Sequence, residues 1–86
     1  REFRKTNSFR YKSGLTYKEK AALIEKQGFK CLICGIDFRT IPDRNIHIDH
    51  SHDTGKVRGI LCHRCNMGIG LFDENRENLK RAMEYV

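Results

Sequence analysis

The chain has 86 residues, with 17 Lys and Arg against 11 Asp and Glu, four Cys and no Trp, and a formal charge of +6. This length fits one domain rather than two, and a domain so small buries only roughly 60% of its unfolded surface, so it needs a staple beyond its core. No apolar run approaches the ~18 residues of a membrane span, and the basic surplus points to a polyanionic partner, nucleic acid before anionic membrane, with a solubilising charged surface as the plain alternative.

Residues 1–13 read as a flexible basic arm. Arg1, Arg4, Lys5, Arg10 and Lys12 stand against one acid, Glu2, and are mixed with Phe3, Phe9 and Tyr11 without a clean period. Arg4, Lys5, Arg10 and Lys12 are candidates for phosphate contacts that supply affinity rather than chemistry. Thr16-Tyr17-Lys18-Glu19 is a capping box. It predicts a helix running to about Gln27 with Gly28 as a left-handed stop, and Tyr17, Ala21 and Ile24 form its apolar stripe with Leu23 beside it.

Cys31 to Cys34 reads as a tight turn closed by Gly35, and residues 36–45 as loop. Ile46–His50 alternates as a strand, Ser51–Gly55 turns, and Lys56–Leu61 returns as a second strand, which makes a hairpin. A helix is expected from near Asn66, weakened by Gly68 and Gly70, whose small size would allow close approach. Asp73 or Asn75 would cap a last helix, with Leu79, Ala82, Met83 and Val86 at helical spacing toward the core.

Two constellations carry chemistry. Cys31-x-x-Cys34 and Cys62-x-x-Cys65 stand 27 residues apart. Four thiolates suit tetrahedral zinc, and a two-residue gap lets one knuckle offer two sulfurs to one ion. Two disulfides would need an oxidising compartment, and nothing marks the chain as secreted, so zinc is favoured over disulfides or free thiols. An all-sulfur site is closed and structural, and one zinc with four thiolates lowers the working charge to +4. The second constellation is Asp49-His50 with Asn66. Asp and Asn offer hard oxygen ligands, and His exchanges a proton near neutral pH. From the dipeptide alone, a histidine satisfied within the hairpin is the plainer reading of His50.

The ordered set of Cys31-Leu-Ile-Cys34-Gly35, His47-Ile48-Asp49-His50-Ser51-His52, Lys56-Val57-Arg58-Gly59-Ile60-Leu61-Cys62 and Cys65-Asn66 resembles the recombination endonuclease VII family of phage nucleases, within the HNH (ββα-metal, His-Me finger) superfamily. The resemblance covers roughly residues 17–73. It implies Asp49 and Asn66 as ligands of a catalytic divalent ion, magnesium or manganese, with His50 as general base and His52 as an auxiliary active-site histidine. It also implies Cys31, Cys34, Cys62 and Cys65 as ligands of structural zinc. Arg58 falls in the matched run and is either a phosphate contact or a strand-surface charge. Ser51 and Ile69 stand where the family's pattern has acids, and Asp73 and Glu74 lie at the wrong spacing to replace the second, so they are assigned to helix capping.

Strict alternation sends Asp49 and His50 to opposite faces, so a shared site requires irregular backbone at 49–51. Ile46 and Ile48 would then lie under the helix, with His47 and His63 at the surface. The fold expected is α+β: a small zinc-clamped ββα-metal domain over residues 14–86, a β-hairpin followed by a helix, with flanking helices. The function expected is a divalent-metal-dependent DNA endonuclease that nicks and, as the resemblance implies, leaves a 5′-phosphate and a 3′-hydroxyl. The rival is a non-enzymatic zinc-stabilised module that binds nucleic acid. A monomer is favoured because the apolar positions of the last helix are assigned to the core, with a homodimer exchanged through the arm as the alternative. The expected location is intracellular, in cytoplasm or nucleoid, or the host cytoplasm for a phage-encoded copy.

Overall fold

The structure, a computed structural model, describes residues 9–86. Arg4 and Lys5 of the arm lie outside the described residues. Helix α1 (Tyr17–Lys26) starts at the capping box. The Glu19 amide donates to Thr16 Oγ1 at 3.1 Å, and the Thr16 amide donates to Glu19 Oε1 at 2.8 Å. Two orphan donors of the first turn are thereby satisfied. Gly28 ends the helix at φ 67°, and Phe29 continues left-handed at φ 64°.

The buried face of α1 is rotated from the expected stripe. Ala21 is exposed and Lys20 is 4% exposed, beside Leu23 and Ile24, which pack on the core. Lysine can occupy this position because its stem is apolar and its charge finds partners. Lys20 Nζ lies 3.2 Å from Asp43 Oδ1 and 4.6 Å from the centre of the Tyr11 ring. Gln27, the last residue of this face, uses its amide as a surrogate strand. Its Oε1 accepts from the Ile60 amide at 2.8 Å and its Nε2 donates to the Ile60 carbonyl at 3.0 Å.

Two short 3-10 turns, Phe38–Thr40 and Asp43–Asn45, bridge the first cysteine pair to the hairpin, and the first buries Phe38. Strands β1 (Ile46–His50) and β2 (Val57–Cys62) pair antiparallel from Ile46↔Cys62 to Asp49↔Gly59. The register then shifts, and His50 pairs with Val57. The expected irregularity is thus present, and the extra residue is Arg58 on the opposite strand. A bulge of this kind adds local twist.

Helix α2 (His63–Leu71) begins three residues before the expected start near Asn66. Cys62 is extended at φ −72°, ψ 162° and serves as its N-cap, so the helix starts inside the second cysteine pair. Helix α3 (Arg76–Tyr85) is capped by Asn75, whose Oδ1 accepts from the Asn78 amide at 2.8 Å.

The core is formed by Cys31, Phe38, Ile46, Ile60, Leu61 and Cys62, with Ile48 and Ile69 packed against it. It therefore sits at the open end of the hairpin. Two expectations are corrected here. No residue of α3 is buried, Met83 is 69% exposed, and the apolar positions of this helix do not enter the core. Two left-handed residues, Asp73 and Glu74, turn the chain away before α3 begins. Close approach also occurs elsewhere than at Gly68 and Gly70, where an added Cβ would meet nothing within 4 Å. Gly59 is the tight position, because a Cβ there would lie 2.5 Å from Leu32 Cδ1 and 3.2 Å from Gln27 Oε1.

Candidate active site and metal centre

The hairpin separates two sites. At its open end, Cys31 comes from the first knuckle, Cys34 from the same turn, Cys62 from the end of β2 and Cys65 from the first turn of α2. One sulfur from each lies within 4.8 Å of the others. Tetrahedral zinc with bonds of about 2.3 Å sets its sulfurs about 3.8 Å apart, and Cys34 Sγ stands 3.6 Å from Cys62 Sγ. All four are free thiols. The donor set and its spacing fit a closed site that could hold a metal such as zinc.

The backbone prepares this site for anionic sulfur. The Cys62 and Ile33 amides point at Cys31 Sγ, at 3.4 and 3.5 Å. Burial raises the Cys31 pKa, but these amide contacts, led by Cys62, outweigh it and bring the thiol down to about 6. Cys65 is pushed up instead, by burial first and then by its sulfur neighbours. A cation among the sulfurs reverses that second effect, because like charges then share a counter-ion.

Toward the turn end of the hairpin lies the second site, a cleft of about 290 Å³ between β1 and α2. Asp49 and His50 reach it from the end of β1, His52 from the turn, Asn66 from α2, and Glu74 from the segment after α2. The four residues expected to act together therefore share one cleft. The His50 and His52 rings are 5.6 Å apart, edge to face. His50 also borders a larger groove, about 620 Å³, lined by Tyr11, Lys12, Arg44 and His47. Lys12 is exposed there. Arg10 is exposed too and donates to the Gly14 carbonyl at 3.3 Å.

An ion pair joins the hairpin to the end of α2. Arg58 Nε and Nη2 donate to Asp49 Oδ2 and Oδ1 at 2.9 and 3.1 Å. Its Nη2 also meets Glu74 Oε1 at 3.0 Å, and Glu74 Oε2 meets His52 Nδ1 at 3.0 Å. The hydrogen bond to Asp49 holds the guanidinium still more firmly in its charged form, with Glu74 adding to it. Glu74 does not cap α3, as the sequence suggested; Asn75 does. The available signal was Glu74 itself, a residue not preferred as an N-cap, between two that are, Asp73 and Asn75. His63 is exposed as expected, but His47 differs from expectation. His47 is half-buried, and the two rings share a 3.2 Å contact between His47 Nε2 and His63 Nδ1.

A carboxylate and an amide oxygen in one cleft form a hard donor set. They suit magnesium or manganese, which commonly bind by one or two carboxylates and complete their shell with substrate phosphate. None of the described helices is long and apolar enough to cross a membrane.

Among the described residues, fold and sites together define a small α+β domain: a two-stranded hairpin, three helices, a four-cysteine cluster and a separate acid–histidine cleft. The chain belongs to the recombination endonuclease VII family, whose description matches residues 5–86. It is similar to the Gene 59 protein of Mycobacterium phage D29, at 39% identity over 74 residues, which cover 85% of this chain and 44% of that protein. The Gene 59 protein of Mycobacterium phage L5 is 38% identical over 74 residues, with the same coverage. The chain thus spans less than half the length of these curated relatives. No solved structure matches it.

Proposed function

We propose that this domain is a divalent-metal-dependent DNA endonuclease of the HNH, ββα-metal type, with zinc in the cysteine cluster. The observation that carries the reading is the convergence of Asp49, His50, His52 and Asn66 on one cleft beside a hairpin bulge. Membership of a family described by an endonuclease adds DNA as the substrate.

Asp49 and Asn66 would hold the ion. When bound, it stabilises negative charge that develops on the phosphate and on the leaving oxygen. His50 is exposed at the mouth of the cleft. As general base, it removes a proton from the attacking water through a free ring nitrogen. His52, tied to Glu74 through Nδ1, is held beside it. Attack at phosphorus with loss of the 3′ oxygen leaves a 5′-phosphate and a 3′-hydroxyl. A single general base, His50, serves one phosphodiester per encounter, so the products are nicks. The groove that leads to His50 offers the cationic side chains of Lys12 and Arg44 to the DNA backbone.

A supercoiled plasmid incubated with the protein, with and without magnesium, tests this reading. Nicked circles are expected with magnesium only, and none with His50→Ala. DNA binding without cleavage under every metal condition would leave the non-enzymatic module as the answer. Asp49→Ala is expected to weaken divalent-ion binding in the presence of DNA, whereas His50→Ala should leave ion binding intact. Equal loss of ion binding in both would reverse the two roles.

A further inference from the structure

Both carboxylate oxygens of Asp49 are taken. The Arg58 fork donates to each, at 2.9 and 3.1 Å, in the two-bond geometry that makes Arg–carboxylate pairs specific. Arg58 is the bulged residue of β2, so its position follows from the register shift beside Asp49. The same Nη2 reaches Glu74 at 3.0 Å. Glu74 and Asp73 both adopt left-handed backbone, at φ 55° and 53°. Such residues are strained and persist only where surrounding structure holds them. Here the Glu74 amide donates to the Ile69 carbonyl and the Asp73 amide to the Gly70 carbonyl, both at 2.9 Å, which closes the end of α2. That closure turns the Glu74 carboxylate back over the hairpin. The Asp49 and Glu74 side chains are 12% and 21% exposed, whereas Arg58 is 42% exposed, and Arg58 borders the adjoining depression that His52 and Glu74 share with the cleft.

We propose, resting on the reading of Asp49 as an ion ligand, that Arg58 is a resident counter-ion which the divalent ion must displace, and that Glu74 is the positioning residue that keeps the displaced guanidinium beside the cleft for a DNA phosphate. A guanidinium and a divalent ion on one carboxylate repel each other strongly in a partly desolvated cleft. Without DNA, the ion therefore competes with Arg58 and binds weakly. With DNA, a phosphate both completes the ion's shell and accepts from the released guanidinium. Ion and DNA then each raise the affinity for the other by the same factor, as linkage requires. Glu74 is suited to the holding role because it touches Arg58 through one oxygen and His52 through the other. It keeps both side chains near the cleft when Asp49 changes partner.

The test measures manganese binding by calorimetry on the full 86-residue chain purified with zinc. Without DNA, Arg58→Ala is expected to bind manganese roughly two- to fivefold more tightly than the parent, the range of a partly exposed ion pair removed as competitor. In a His50→Ala background, which prevents cleavage, added duplex DNA should tighten manganese binding less in Arg58→Ala than in the arginine form. The Arg58 Nε–H resonance should be visible in the ion-free protein and shift as magnesium is titrated. Glu74→Gln should leave DNA-free manganese affinity unchanged or higher and raise KM for DNA more than it lowers kcat. Equal manganese affinity in the parent and Arg58→Ala would overturn the counter-ion role. Weaker manganese binding in Glu74→Gln would make Glu74 an ion ligand and overturn its positioning role. Failure of every form to bind manganese, with or without DNA, would remove the metal-dependent reading itself and this proposal with it. Zinc content and melting temperature are read alongside, so that a folding defect is seen separately.

Discussion

The two ends of the hairpin are built on different principles. At the open end, four identical side chains meet within 4.8 Å around positions of the core, with Cys31 and Cys62 at 4% and 5% exposure. At the turn end, five side chains of different chemistry come from a strand end, a turn, a helix and a post-helical segment, and they face an open cleft. The first end is made for stability, because two of its donors, Cys31 and Cys62, are interior parts of the fold. The second is made for exchange, because its donors are held by backbone irregularity and have alternative partners. The bulge at Arg58 and the left-handed pair at Asp73–Glu74 are both at this end. Mixed chemistry and the hairpin's register shift thus lie at the turn end, separated from the staple by the length of β1.

Substitutions at the two ends should therefore fail in different ways, and the largest effect is expected at the staple. Cys62→Ser should abolish both the stoichiometric zinc and the cooperative thermal transition, because metal binding and folding are one event in such small sites. Circular dichroism melting with metal analysis checks this. A variant that keeps its melt without zinc would make the open end an ordinary apolar core.

His50→Ala should show the opposite pattern. Cleavage should fall by roughly 10²–10⁴-fold, the scale of a lost general base. Zinc content and melting temperature should stay at the parent's values, since His50 is exposed. A nicking time course and a parallel melt report the two quantities. Loss of stability together with activity would blur the distinction between the ends.

Gly59 lies between the regions, next to the bulge and against the first cysteine knuckle. Gly59→Ala forces a Cβ to 2.5 Å from Leu32 Cδ1. A cost of about 1–2 kcal/mol is expected by urea denaturation, since crowding of this kind is felt but Leu32 is exposed and can move. Leu32→Ala added to it should recover most of the loss. Without that recovery, the displaced group is the Gln27 amide and its bonds to Ile60.

The smallest effect concerns pH. Burial, then His63 and Lys20, hold His47 below the ordinary histidine value of 6.5. Its neutral form is thus the one the fold prefers. The stability it contributes is present above pH 6.5 and is lost as pH falls through the lowered folded value. Melting temperatures from pH 8 to 5 should decline less steeply in His47→Gln than in the parent. Parallel curves would mean that His47 titrates as if exposed.

The sequence by itself determined the features that depend on near neighbours. Thr16 and Glu19 are three residues apart, so their reciprocal bonds could be read directly, and so could the Gly28 stop. The paired cysteine spacing announced a metal-binding cluster because each pair is a local turn. The need for irregular backbone beside Asp49 and His50 was also legible, since alternation alone would have parted them. Tertiary structure decided which strand carried the extra residue, and it chose Arg58, across the hairpin from the residues under suspicion. It placed Lys20 in the core instead of Ala21, because Asp43 and Tyr11 arrive from distant positions to receive the ammonium. It kept the apolar positions of α3 off the core, because the turn at Asp73–Glu74 sets the direction of that helix. The same turn brought Glu74 onto Arg58 and His52. No periodicity links residues 52, 58 and 74, so their contact exists only once the hairpin, α2 and its closing turn have folded together.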